Sequence, residues 1–452
     1  MSDSQGDAPE QSRSAIYRVR GLRAPVQSFI HTEEVGALIL LAAAAAAIIW
    51  ANSPWSDSYF DFWHTKISFD LHIFALSEDL QHLVNDGLMA IFFFVVGLEI
   101  KRELLHGELS SVRKASLPVL AAVGGMVVPA LAYLAFNSSG EGAVGWGIPM
   151  ATDIAFAIGV LALLGRRIPV ELRVFLLGLA VVDDLGAIAV IAVFYTDTID
   201  WSSLGISLAI LAAAALSVRL GIRSMVYYIA AGVSMWYFFL ESGVHATLAG
   251  VLLAAIVPAG SARGRDEYAT ALDDLLHDYR LAMSNGDEEH AEIVLEEIEQ
   301  VSRKTEAPLE SLEHMIHPWV SLAILPLFAL ANAGVVVTSE TLSDAAGSSI
   351  TIGIVAGLLA GKAIGIFGIT WLALRFGIGQ LPASVTLMHV LGVGFLAGIG
   401  FTVAIFISGI AFDDPALVDQ AKMGIFVASI AAAIIGYALL RFTGKRDAQT
   451  AS

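Results

Sequence analysis

The chain has 452 residues, 56% of them hydrophobic, with a mean hydropathy of +0.72 and a net charge of −18. Soluble domains contain about 45–50% apolar residues. Here the excess lies in runs such as 117–136 that are long enough to cross a hydrocarbon core, which argues against a soluble protein. The acidic charge argues against nucleic-acid binding, and the absence of cysteine excludes disulfide and thiolate chemistry.

We predict an all-α integral membrane protein with about twelve transmembrane helices. Basic loops, such as the one with Arg113–Lys114, alternate with loops that hold only Lys66 and Lys422, at a span edge. Since basic loops stay in the cytoplasm, both termini are predicted to be cytoplasmic. The polar segment 1–30 is interpreted as a cytoplasmic tail and not as a cleaved signal. The predicted spans are 34–51, 80–104, 116–136, 146–164, 172–195, 204–218, 222–240, 243–257, 316–337, 350–374, 385–411 and 418–441.

An acidic insertion divides the predicted transmembrane region. Its stretch 263–307 holds thirteen Asp or Glu against five Lys or Arg. Apolar residues recur at helical spacing on both sides of Asn285-Gly286, which predicts an amphipathic helical hairpin. We expect a solvated insertion without a role in transport, with a regulatory lid as the alternative. The predicted regions are a tail 1–30, spans one to eight 31–261, the insertion 262–308, spans nine to twelve 309–442 and a tail 443–452.

The segment 63–74 lies between the first two spans and alternates in polarity. Such a period of two predicts a strand with one apolar face, in a small extracytoplasmic β-hairpin. A lone hairpin is only marginally stable, so we predict pairing with a second subunit through 58–75. A strand that lies on the membrane or on its own subunit is the alternative. The apolar residues at odd positions are Trp63, Ile67, Phe69, Leu71 and Ile73.

Asp183 and Asp184 lie side by side in the fifth predicted span, within LAVVDDLGAIAV. A charge inside the membrane is costly, so an intramembrane carboxylate is a functional candidate. Two nearby carboxylates at low dielectric cannot both stay ionised cheaply. Such a pair can hold protons when empty and release them when Na⁺, which prefers oxygen ligands, arrives. This competition is sufficient for an exchanger, and an ion pair that only packs helices is the alternative.

Further polar residues lie in two other apolar spans. In the fourth span, Pro149 and small neighbours predict an interrupted helix. Thr152 and Asp153 can form hydrogen bonds with the backbone groups freed by the interruption, and Asp153 can also neutralise a helix N-terminus. The alternative is a kinked helix with a polar plug. In the tenth span, Lys362 needs a carboxylate partner, which we expect to be Asp184, with Asp153 as the other candidate. A snorkelling lysine is the alternative.

The eleventh predicted span is rich in glycine, which permits close helix approach and local unwinding. With the fourth span it makes two interrupted helices in corresponding positions of two three-span blocks, 116–195 and 350–441. This arrangement predicts an inverted repeat with an ion site at the midplane, and glycine packing without unwinding is the alternative. The glycines are Gly392, Gly394, Gly398 and Gly400.

Titratable residues near the ends of spans are candidates for pH sensing. Glu99 and Arg102, at the end of the second span, can belong to a pH-sensing network or equally to a basic anchor. His245, His314 and His317 titrate near neutral pH, although each one alone is more often structural.

Several segments occur in the order found in one transporter family, from about residue 30 to residue 442. They include NDGLMAIFFFVVGLEIKREL, GWGIPMATDIAFAIGVLALLG, FLLGLAVVDDLGAIAVIAVFYT, SGVHATLAG, EHMIHPWVSLAILPLFALANAGV, GKAIGIF and GVGFLAGIGFTVAIF. Together they resemble the NhaA family of bacterial sodium/proton antiporters. Paired interrupted helices around a midplane site characterise several transporter folds, of which NhaA is itself one.

The resemblance implies crossed, interrupted fourth and eleventh helices, a location in the bacterial inner membrane and a dimer-forming hairpin. It also implies electrogenic exchange of Na⁺ or Li⁺ for a larger number of protons, without a cofactor, and a lysine that pairs with the second carboxylate. The residues that match the cation and proton site are Asp183, Asp184, Thr152, Asp153 and Lys362. Those that match the family's pH-regulation positions are Glu99, Arg102, Glu313 and His314.

Two other functions need membrane carboxylates. An intramembrane aspartyl protease needs two acids that face each other across a water, usually from different helices, and adjacent acids on one helix fit this poorly. A sodium-coupled solute symporter is the other alternative, against which the membrane lysine near the aspartate pair favours simple cation/proton exchange.

Overall fold

The computed structural model describes residues 35–70, 75–196, 198–222, 225–260, 265–305 and 307–450. The predictions for the tail 1–30 and for strand residues 71–74 lie outside these residues. The strands are β1 Lys66–Asp70 and β2 Ala75–Asp79. The helices are α1 Val35–Ala51, α2 Ser56–Trp63, α3 Leu80–Leu105, α4 Val112–Phe136, a 3₁₀ helix Glu141–Met150, α5 Ile154–Ala162, α6 Val170–Phe194, α7 Trp201–Arg219, α8 Met225–Glu241, α9 Leu248–Ile256, α10 Arg265–Asn285, α11 Glu288–Thr305, α12 Pro308–Asn332, α13 Ser339–Gly347, α14 Ser349–Arg375, α15 Leu387–Leu396, α16 Phe401–Ala411 and α17 Pro415–Thr450.

The described residues form a multi-pass membrane protein. Within them, seven helices are long and apolar enough to cross a membrane: α3, α4, α6, α7, α12, α14 and α17. Counting each of three bent helix pairs as one span raises the number to ten. The other two predicted spans coincide with α8, of 17 residues, and α9, of 9 residues. Both are shorter than the roughly 20 residues that usually cross a bilayer, so twelve spans stay a prediction.

The β-hairpin is confirmed, but the strand predicted at 63–74 begins later. Trp63 is the last residue of α2, is 3% exposed and packs its ring 5.0 Å from that of Phe62. Burial of this large ring outweighs the alternating pattern, and β1 begins only at Lys66. β1 pairs antiparallel with β2, with Lys66 opposite Asp79. Pairing with a second subunit stays a prediction.

The acidic insertion contains a helical hairpin, α10 and α11. Gly286, with φ at 72°, forms the turn in the left-handed region that glycine adopts easily. Ala282 and Ala291 are buried on either side of this turn. At the base, the backbone N–H of Leu309 donates to the carbonyl oxygen of Pro258 at 3.2 Å. The chain therefore leaves the bundle and returns to it at almost the same point.

Two blocks of the chain repeat one order of elements. A long helix (α4 or α14) precedes two short helices joined by a break, and a second long helix follows (α6 or α17). The short helices bend by 42° in the first block and by 49° in the second. α4 and α14 cross where a Cβ atom on Gly124 would lie only 2.3 Å from the carbonyl oxygen of Gly365. This close approach requires glycine, and it brings Lys362, one turn before Gly365, against α4.

Candidate functional site

Asp153 lies in the break of the first block and faces the break of the second. Its Oδ1 accepts a hydrogen bond from the backbone N–H of Phe156 at 3.1 Å, which caps α5. Its Oδ2 accepts one from the backbone N–H of Thr402 at 3.0 Å and one from Thr402 Oγ1 at 2.5 Å. Sequence reasoning expected one helix N-terminus at Asp153, and the structure adds a second, that of α16. The positive ends of two helix dipoles thus meet one carboxylate.

Thr152 joins the two breaks on the other side. Its Oγ1 donates to the carbonyl oxygen of Ala397 at 2.9 Å, directly after α15. The backbone N–H of Asp153 donates to the carbonyl oxygen of Ile399 at 2.6 Å. Thr152 Oγ1 also accepts a hydrogen bond from Lys362 Nζ at 3.0 Å. Backbone groups of both breaks are therefore hydrogen-bonded next to the buried ammonium.

Lys362 pairs with Asp183, so the sequence-based expectation of Asp184 was wrong. Lys362 Nζ donates to Asp183 Oδ2 at 2.6 Å, and both side chains are fully buried. Consecutive residues of a helix point about 100° apart, so α6 directs Asp183 toward α14 and Asp184 elsewhere. Asp183 Oδ1 has no hydrogen-bond partner in the part of the chain that the structure describes.

Asp184 faces a cavity whose lining does not include Asp183. Asp184 is 4% exposed, and the side-chain oxygens of Asp153, Thr402 and Glu99 also line the cavity. Hard cations prefer such carboxylate and hydroxyl oxygens. The described residues contain no group of three or more His, Asp or Glu that could hold a metal ion. The arrangement therefore places several side-chain oxygens around a cavity next to a buried ion pair.

Four of the candidates for pH regulation lie close together, and the fifth does not. Arg102 forms an ion pair with Glu313, beside which His314 lies in sequence, and Glu99 precedes Arg102 by one turn of α3. His245 lies elsewhere, at the C-terminal end of α6, with Nε2 2.6 Å from the carbonyl oxygen of Tyr195.

His317, one of the histidines named from the sequence, and Lys101, which lies between Glu99 and Arg102, complete this region of the bundle. His317 lines the cavity, and its Nε2 lies 3.7 Å from Glu99 Oε1. It lies three residues after His314 on α12, and residues at this spacing share a helix face. Lys101 Nζ donates to the carbonyl oxygens of Ala255 and Val257 at 2.6 Å each, and so holds the end of α9 to α3. No local pattern predicts such a contact between distant segments.

Comparisons with known proteins point to one family. A family model described as Na⁺/H⁺ antiporter 1 matches residues 27–440. The chain is 48% identical to the Na⁺/H⁺ antiporter NhaA of Oleidesulfovibrio alaskensis, over 93% of this chain and 94% of the relative. It is 44% identical to the NhaA protein of Rhodopirellula baltica, over 93% and 94% of the two chains. For that of Syntrophobacter fumaroxidans, the identity is 43% over 99% and 96%.

The apolar helices and the matches to antiporters define a membrane transporter, not an enzyme. The chain belongs to the NhaA family of Na⁺/H⁺ antiporters, which confirms the resemblance inferred from its motifs.

Proposed function

We propose that this protein exports Na⁺ across the bacterial inner membrane in exchange for a larger number of H⁺. The observation that supports the proposal is that the two aspartates have different surroundings. Asp184 faces the cavity, whereas Asp183 lies behind it in a buried ion pair with Lys362. An entering cation meets Asp184 first and then competes with the lysine ammonium for Asp183.

This competition couples Na⁺ to H⁺. A cation bound between Asp183 and Asp184 replaces the ammonium as the counter-charge of Asp183. Lys362 then loses the interaction that keeps it charged and gives up its proton, and Asp184 gives up its own when it binds the cation. When the cation leaves on the other side, both groups take up protons again. Li⁺, which also prefers oxygen ligands, is proposed as a second substrate.

Two proton-carrying groups per cation make the exchange electrogenic. Each cycle moves one more positive charge inward than outward, and a membrane potential contributes about 2.3 kcal/mol per charge per 100 mV. The proton gradient and the potential together therefore drive Na⁺ export.

Alternating access requires a site that can open to either side. We propose that the broken helices of the two blocks are the interrupted fourth and eleventh of twelve spans, related as inverted repeats. Asp153 and Thr152 support this, because their hydrogen bonds hold both breaks together and stabilise the helix ends near the cation.

Regulation and assembly follow the same family pattern. We propose that the group of Glu99, Arg102, Glu313 and His314 makes transport depend on cytoplasmic pH, because Glu99 lines the cavity and the ion pair of Arg102 lies one helical turn away. His245 belongs to the other end of α6 and is proposed as a separate site of protonation. Both termini are assigned to the cytoplasm, the transmembrane regions to 31–261 and 309–442, and a homodimer contact to the hairpin at 58–75.

The ion pair disfavours proteolysis. An aspartyl protease needs both carboxylates on one water, whereas Asp183 faces Lys362 and Asp184 faces the cavity.

The test is Na⁺-dependent proton movement in proteoliposomes that report internal pH through a dye. Addition of NaCl should release protons at neutral or mildly alkaline pH. Asp183→Asn and Asp184→Asn should each abolish the signal, whereas Asp413→Asn, which changes an exposed acid in the loop between α16 and α17, serves as the matched control. Absence of Na⁺-induced proton release by the unmodified protein refutes the function. Exchange retained in either site variant refutes the site.

A further inference from the structure

One face of the hairpin α10–α11 exposes acidic and apolar side chains together. Ala282 and Ala291, 4% and 3% exposed, mark the sides through which the two helices pack. On each helix, exposed residues spaced by three or four positions share a face beside this packed side. Because the helices pack through the two alanines, helical geometry places both sets on the same side of the hairpin. We call this set the acidic face: Asp274, Asp278 and Leu281 on α10, and Ile293 and Glu297 on α11.

The composition of the acidic face fits a basic partner that also carries apolar side chains. Leu281 is 47% exposed and Ile293 is 50% exposed, although both lie outside the predicted spans. Apolar side chains grouped on one face gain free energy when a partner covers them. The acids favour a positively charged partner and are repelled by the anionic lipids of a cytoplasmic leaflet. The partner that fits this face is therefore a basic polypeptide and not the membrane surface.

The N-terminal segment 11–32 has this composition. It holds four arginines and no Asp or Glu. The other terminal segment, 443–452, holds only Lys445 and Arg446, next to Asp447. An arginine guanidinium can donate two parallel hydrogen bonds to one carboxylate. The arginines are Arg13, Arg18, Arg20 and Arg23, and the larger apolar residues among them are Ile16, Tyr17, Val19 and Leu22. Both the charge and the apolar content of the segment thus match the acidic face.

The segment joins the bundle close enough to reach the hairpin. α1 contacts α12 at Gly36, where an added Cβ atom would lie 3.0 Å from Ser321. The path from Ser321 back along α12 and α11 to Ile293 covers 28 positions, about 42 Å at ~1.5 Å per residue. Val19 precedes the first residue of α1 by 16 positions, which span up to ~53 Å when extended at about 3.3 Å per residue. Residues near Val19 can therefore lie on the acidic face while α1 stays in the bundle.

We propose that the N-terminal segment 11–32 docks on the acidic face of the hairpin. Its arginines pair with the three acids, and its apolar residues cover Leu281 and Ile293. Single exposed ion pairs are weak, but the tether through α1 raises the effective concentration of the segment, so that several weak contacts suffice. The inference uses the assignment of the N-terminus and of the insertion to the cytoplasm. It does not involve the ion site, and Na⁺/H⁺ exchange does not depend on it.

The absence of cysteine from the sequence permits a direct test by disulfide formation. Val19→Cys is combined with Leu281→Cys in the full-length protein, in nanodiscs that hold one protein each, and the loss of free thiols is followed under mild oxidation. Met283→Cys replaces Leu281→Cys in the matched control, because Met283 is 52% exposed and lies about 200° around the same helix. The pair with Leu281→Cys should react about tenfold faster or more, since docking raises the effective concentration at one face only.

Charge reversal separates the acidic face from the overall charge of the hairpin. Asp274→Lys with Asp278→Lys should lower the rate of the Val19–Leu281 pair to that of the Met283 control. Glu292→Lys with Glu296→Lys changes the net charge equally, at exposed positions with the same spacing on the other side of the hairpin, and should leave most of the rate. Adding KCl should also lower the rate, because the Debye length falls from about 10 Å at 0.1 M to about 3 Å at 1 M. If the lysine variants aggregate, the corresponding asparagine variants should show the same order.

Three results overturn the docking. The first is an equal rate for the Leu281 and Met283 pairs. The second is an equal loss in the two charge-reversal variants, which would show attraction by net charge without a defined face. The third is a fall to the Met283 rate when anionic lipid replaces zwitterionic lipid in the nanodiscs, which would show that the segment binds the membrane.

Two further measurements separate this inference from the proposed function. Val19→Cys and Leu281→Cys, each alone, should react with a membrane-impermeant thiol reagent from the inside, in inverted vesicles. Reaction of the two thiols from opposite sides of the membrane also overturns the docking. Proton release on NaCl addition is measured on the unmodified protein, and its absence refutes the exchange function alone.

Discussion

Replacing Lys362 with methionine should strongly destabilise the protein. The ammonium lies 2.6 Å from Asp183 Oδ2, and neither side chain is exposed. Removing one partner of a buried ion pair costs about 3–5 kcal/mol, because the other charge is left uncompensated. The hydrogen bond to Thr152, at 3.0 Å, is lost as well. We therefore expect a loss of unfolding free energy within that range, measured on purified protein in detergent.

A second substitution identifies the carboxylate that the lysine compensates. Replacing a whole buried ion pair by neutral groups is often nearly neutral. Asp183→Asn should therefore restore most of the stability lost in Lys362→Met. Asp184→Asn should restore little, because Asp184 faces the cavity and not the lysine.

The measurement is thermal or denaturant unfolding followed by tryptophan fluorescence, arranged as two double-mutant cycles. The protein has 8 tryptophans, which provide the signal. Rescue by Asp184→Asn and not by Asp183→Asn would refute the pairing described here. A loss below about 1 kcal/mol in Lys362→Met would refute the assumption that a fully buried charge is left uncompensated.

Three further outcomes follow from other contacts. Asp153→Asn should cost about 2 kcal/mol of unfolding free energy, because one amide oxygen cannot cap both helices. This loss should exceed the loss in Thr402→Val, which keeps both backbone contacts. An equal loss in the two variants would contradict the double cap. Hydrogen bonds from two serines hold the pKa of Asp200 below its usual range. The difference in stability between the parent protein and Asp200→Asn should therefore be constant above about pH 4 and shrink as the pH falls below that value. A difference that grows in acid would contradict this expectation. Replacing 262–306 with a short flexible linker should preserve Na⁺-dependent proton release in proteoliposomes. The reason is that the hydrogen bond between Leu309 and Pro258 already closes the base of the insertion. Loss of exchange in a folded variant would assign the insertion a role in transport.

The sequence was most informative where one segment carries the whole signal. Apolar runs predicted the long helices, because the hydrophobic effect acts on each segment as a whole. Asn285-Gly286 predicted the turn between α10 and α11, because glycine accepts the left-handed conformation. The aspartates of α6 stood out because two charges in an apolar helix need a compensating partner.

Contacts between distant segments could not be predicted in the same way. The start of β1 was misplaced because Trp63 is buried against an aromatic ring of α2, which no alternating pattern records. The contacts of Lys101 could not be predicted, because its partners are carbonyl oxygens at the end of α9, more than 150 residues later.

The sequence by itself determined that this is a membrane protein of the NhaA family, and which acids and which lysine lie in its apolar spans. Only the tertiary structure decided that Lys362 compensates Asp183 and leaves Asp184 facing the cavity. The physical reason is that adjacent residues on α6 point about 100° apart, so the choice depends on which side of α6 the lysine approaches. The close crossing of α4 and α14 at Gly124 and Gly365 sets that side.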